Sequence, residues 1–71
     1  MVRSYMKSLR LAKRLTNEQM AKKIGVTTSY YNKLELGKKN PSIQTAFKLA
    51  TFFDCPIEDL FGDTFTVSHA M

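Results

Sequence analysis

The chain has 71 residues, a single cysteine, and a net charge of +5 from 11 basic and 6 acidic side chains. At that length it holds one core, which removes only roughly 60% of the unfolded chain's surface from water. Cys55 alone cannot close an internal disulfide, Cys55 and His69 alone cannot build a structural zinc site, and no apolar run approaches a membrane span. The cysteine usage suits a reducing, cytosolic setting, and the N-terminus, with no apolar signal region behind it, argues against export. The expectation is a small soluble domain that a second copy of itself can complete.

Ser4–Arg14 reads as a first helix, with Met6 and Leu9 inward and Lys7, Arg10 and Arg14 outward. Thr16 is a good N-cap and Gln19 stands at the third helical position, a capping-box pattern that opens a second helix over 17–24. Its inner face is Met20, Ala21 and Ile24, and Gly25 supplies the left-handed turn that ends it. Thr27 caps a third helix over about 28–36, with Tyr31 and Leu34 on one face and Thr28, Ser29, Asn32 and Lys33 on the other. Gly37 stops it, and the basic loop Lys38-Lys39-Asn40-Pro41 follows. Ser42 caps a fourth helix over 43–53 with a broad apolar face of Ile43, Ala46, Phe47, Leu49, Ala50 and Phe53. Asp54-Cys55-Pro56 breaks it, and Ile57–Phe61 makes a short fifth turn. Thr64–Ser68 alternates polar with apolar residues, a strand signal, for which residues 2–5 are a weak pairing candidate. The fold class is therefore all-α, a bundle of five short helices with a possible terminal strand or hairpin. The domain core spans 6–61 and residues 62–71 form a tail.

The charge is segregated. Residues 1–48 carry all 11 basic side chains and 2 acidic ones; residues 49–71 carry no basic side chain and 4 acidic ones. Solubility does not require such a division, so a polyanionic partner on the basic side is the better reading. Two short helices joined by a tight turn at Gly25 make a helix-turn-helix, whose second helix is presented outward. The presented side chains, Thr28, Ser29, Asn32 and Lys33, are polar and free of acid, and suit base edges in a major groove. The first N–H groups of the second helix, beside Asn17, form an anion site, and the Lys38-Lys39-Asn40 loop forms another. Phosphates would then fix position while bases fix identity.

The segments Leu15-Thr16-Asn17-Glu18-Gln19-Met20-Ala21, Ile24-Gly25-Val26-Thr27 and Lys33-Leu34-Glu35-Leu36-Gly37-Lys38-Lys39-Asn40-Pro41-Ser42 resemble the Cro/CI (Xre-type, lambda-repressor-like) helix-turn-helix family over residues 6–61. The resemblance implies a five-helix bundle that binds double-stranded operator DNA as a homodimer and acts as a transcriptional repressor. It implies base contacts from Thr28, Ser29, Asn32 and Lys33. It implies phosphate contacts from Asn17, Arg10 and the Gly37–Asn40 loop with Lys38 and Lys39; Thr27 and Tyr30 complete that set, Tyr30 mainly packing between the DNA face and the core. It also implies an ion pair between Arg10 and Glu35. Three positions depart from the family pattern: Asn17 where glutamine is usual, Tyr31 where Val or Ile is usual, and Arg14 where glycine often follows the first helix.

Lys22 and Lys23 read as a solvated helix face, Met6 and Met20 as core, Cys55 as a small buried hydrophobe and His69 as solvated. Phe61, Phe65 and Val67 either close the core of one chain or form a two-fold interface; the dimer explains the small size, the alternating tail and the charge segregation together. No cofactor, metal, small-molecule ligand, membrane or catalytic activity is expected, because so small a bundle offers little pocket volume. Two relatives of the repressor reading share the same fold: an antitoxin and a restriction–modification controller. From other classes come a protein-interaction module with a basic face and, last, a peripheral membrane binder.

Overall fold

Side-chain caps decide where the middle helices begin. The computed structural model describes residues 3–65, and among these the helices are α1 (Ser4–Ala12), α2 (Asn17–Ile24), α3 (Thr28–Glu35), α4 (Ile43–Phe53) and α5 (Ile57–Phe65). At the start of α2 the Gln19 N–H donates to Thr16 Oγ1 at 3.1 Å while the Thr16 N–H donates to Gln19 Oε1 at 2.9 Å, so the capping box is complete. The Tyr30 N–H donates to Thr27 Oγ1, and the Thr45 N–H to Ser42 Oγ. Gly25 ends α2 at φ 77°, as its place in the sequence predicts.

Among the described residues, two that are not glycine also adopt left-handed backbone. Arg14, at φ 58°, turns the chain after α1, which therefore stops at Ala12 rather than running to Arg14. Asp54, at φ 54°, ends α4. At the far end α5 continues through Phe65 across a kink at Phe61 (φ −134°, ψ 33°), so Thr64 and Phe65 are helical where alternation predicts strand. No strand occurs among the described residues; Thr66, Val67 and Ser68 lie outside them.

α2 packs on α3 and α4, α4 packs on α5, and α1 bridges α3 and α5. Met6, Met20, Tyr31, Leu34, Leu49 and Phe61 fill the centre and are fully buried. α3 is thus held from behind, with its outer side open. The broad apolar face predicted for α4 is narrower than its sequence: Ala46, Leu49, Ala50 and Phe53 are buried, while Ile43 and Phe47 stand 48% and 57% exposed. The two exposed residues are four apart, on a stripe beside the one that faces the core.

Arg3 anchors the start of α1. Its backbone N–H donates to the Glu35 carbonyl at 2.8 Å, and its guanidinium donates to the Leu34 and Lys39 carbonyls and to Asn40 Oδ1. The same guanidinium lies 5.0 Å from the Phe61 ring centroid.

Candidate nucleic-acid interface

α3 has one buried and one open side. Tyr31, Leu34 and Glu35 are buried. Thr28, Ser29 and Lys33 are exposed and Asn32 is half-buried, so the four predicted readers form one stripe on the open side. Tight contact between α2 and α3 sets this presentation: the small Ala21 is 1% exposed, and the Val26 N–H donates to its carbonyl at 3.0 Å across the turn.

Asn17, the first residue of α2, donates from Nδ2 to Asn32 Oδ1. The predicted phosphate residue and the innermost predicted reader are therefore one unit. Their shared cleft, about 300 Å³, is also lined by Lys7 and by the Arg10–Glu35 pair. In sequence Lys7 reads only as an outward-facing lysine of α1. The available signal was its spacing: three residues before Arg10, it lies on the side of α1 that meets α3.

The basic loop is firmly attached to α3. The Lys38 and Lys39 N–H groups both donate to the Lys33 carbonyl, at 2.9 and 3.3 Å. Lys39 Nζ lies 5.9 Å from the Tyr30 ring centroid, and Arg3 grips the loop from the other side through the Lys39 carbonyl and Asn40 Oδ1. Lys38, Lys39 and Asn40 are exposed at the C-terminal end of the open stripe of α3. Thr27 is exposed and its hydroxyl oxygen caps α3, while Tyr30 is half-buried, as its position between the two faces predicts.

Two predicted site residues are corrected. Arg10 is 7% exposed, with Nε donating to Glu35 Oε2 at 2.8 Å, Nη2 to Glu35 Oε1 at 3.2 Å and Nη1 to the Leu15 carbonyl at 2.7 Å. That is the ion pair the resemblance implies, and it takes Arg10 out of the phosphate set: all three nitrogens already point inward. The hydrogen bonds to Glu35 hold the Arg10 pKa above its ordinary value, against the opposing effect of burial. Glu35, though acidic, is buried and paired, so it places no exposed charge on the open side of α3. Phe61 leaves the predicted dimer set because it is fully buried in its own chain. Val67 and the side chain of Phe65 lie outside what the structure describes.

Residues 6–60 match the helix-turn-helix family. An uncharacterized HTH-type transcriptional regulator of Methanocaldococcus jannaschii is 42% identical over 60 residues, covering 84% of this chain and 91% of the relative. One from Archaeoglobus fulgidus is also 42% identical over 60 residues, covering 84% of this chain and 86% of the relative. The cryptic phage CTXphi transcriptional repressor of Vibrio cholerae is 36% identical over 66 residues, covering 93% of this chain and 60% of its own length. With the motif, the five helices and these relatives in agreement, the chain belongs to the Cro/CI (Xre-type) helix-turn-helix family.

Proposed function

We propose that this chain is a sequence-specific DNA-binding transcriptional repressor that acts as a homodimer on a near-palindromic operator. The observation that carries the proposal is the open stripe of α3: four polar, acid-free side chains on a helix whose other side is locked into the core. Thr28, Ser29, Asn32 and Lys33 contact base edges in the major groove. Asn17 and the start of α2 take a phosphate on one side, with Lys7 beside them; Lys38, Lys39 and Asn40 take one on the other, with Thr27 and Tyr30 between. The names of the relatives, transcriptional regulators and one phage repressor, support regulation and repression. Two copies would place α3 in successive major grooves, with half-site centres about one turn, ~34 Å, apart.

The test is selection from a pool of randomised duplexes at several salt concentrations, with sequencing of the bound fraction. The expected result is an inverted repeat that stays enriched as salt rises. Binding confined to low salt with nothing enriched would leave only the electrostatic term and overturn the reading.

A further inference from the structure

We infer that the outer face of α4 is the surface on which two copies of this chain meet, with the two-fold axis running along α4. The inference rests on the homodimer proposed above, and it replaces the Phe61 interface that burial excludes.

Ile43 and Phe47 form an exposed apolar ridge on α4. A groove of about 600 Å³ lies on each side of Phe47. One is floored by Phe52 and rimmed by Lys22, Lys23 and Lys48; the other is floored by Cys55 and Ile57 and rimmed by Asp54 and Glu58. A single face thus carries an apolar ridge, a basic flank and an acidic flank. Exposed apolar surface rimmed by charge marks an interaction site, and here the charges identify the occupant. A second copy offers the complementary pattern, since an isologous contact sets each surface against itself.

The direction of the axis follows from symmetry. A two-fold axis lying in the interface and along the ridge brings the basic flank of each copy onto the acidic flank of the other, twice. An axis across the ridge would set lysines on lysines and carboxylates on carboxylates. The first arrangement runs the two α4 helices in the same direction. The Lys38–Asn40 loop enters α4 directly, so both basic loops then point the same way, towards one duplex. The second arrangement would point them apart. Charge pairing and the placement of the DNA-facing loop select the same axis by separate arguments. Phe47 meets its own mate on that axis, and the flanks supply register.

The test needs no DNA: sedimentation equilibrium of the full chain, with circular dichroism to confirm helix content. One double variant, Lys22→Glu with Lys48→Glu, makes both flanks negative. The other, Asp54→Asn with Glu58→Lys, makes both positive, asparagine being chosen for its tolerance of the left-handed backbone at that position. Each variant alone is expected to self-associate at least ~10-fold more weakly than the parent, and an equimolar mixture to recover dimers. Phe47→Lys is expected to abolish the dimer while keeping the helix signal. A parent chain that stays monomeric at millimolar concentration, or variants that dimerise as well as the parent, would overturn the inference. So would a mixture that fails to recover. In each of those cases an enriched operator in the duplex selection would leave the DNA reading standing; a dimer that obeys the charge swap with no operator enriched would do the reverse.

Discussion

Tyr31 combines a core position with a polar tip that has nowhere to go. Its ring is fully buried, and its hydroxyl lies beside the Arg10–Glu35 pair without completing a hydrogen bond. Burial first, then the neighbouring Glu35 carboxylate, push its ionisation far above the ordinary value of 10.0. A hydroxyl harder to ionise in the fold than in the unfolded chain leaves stability intact below about pH 10 and lowers it as pH rises further. Tyr31→Phe should therefore be neutral or up to ~1 kcal/mol more stable in urea unfolding at neutral pH, and should blunt the alkaline loss. Lys33 belongs to the same scale: Lys33→Ala should cost ~1–3 kcal/mol and relax preference at one base pair, with little loss on random duplex. Equal losses on both would remove Lys33 from the reading role. The open stripe of α3 was legible because a helix with two inward apolar residues fixes where its polar ones lie. For Arg10 the resemblance implied two roles at once, an ion pair with Glu35 and a phosphate contact, and only the fold shows that the Glu35 carboxylate and the Leu15 carbonyl together claim the guanidinium.

Helix boundaries follow local chemistry where that chemistry is self-contained. Thr16 and Gln19 satisfy two N–H groups between them, and Thr27 and Ser42 each satisfy one, so the starts of α2, α3 and α4 coincide with their expected places. Thr16→Ala should cost ~1 kcal/mol and lower the melting temperature of a domain this size by ~4–8 °C in calorimetry. A variant that melts with the parent would show that tertiary packing alone holds α2. Thr64 and Phe65 depart from their local signal for the opposite reason. Alternation at Thr64–Ser68 carries no commitment to strand without a partner, and α5 extends helically through Thr64 and Phe65. The exposed Ile43 and Phe47 were equally illegible: an apolar residue in a helix records that it can be covered, not which element covers it.

At the scale of the whole molecule, charge is divided along the sequence, while the outer face of α4 carries both signs. Lys33, Lys38 and Lys39 are exposed and none is in an ion pair among the described residues, so each adds to the field that a polyanion meets. Lys38→Ala should weaken specific and random duplexes alike and reduce the slope of log K against log salt by about one. A binding titration over several salt concentrations reads this directly, and an unchanged slope would remove Lys38 from the phosphate set. The guanidinium of Arg3 carries a different consequence. It ties together the end of α3, the basic loop and the Phe61 ring near the far end of the bundle. During synthesis the hydrogen bonds of Arg3 to Leu34, Lys39 and Asn40 need only the first forty residues, whereas its contact with the Phe61 ring awaits the sixty-first. The grip on the Lys38–Asn40 loop is therefore available as soon as the helix-turn-helix and that loop have been made, and closure of the bundle adds the aromatic face behind it.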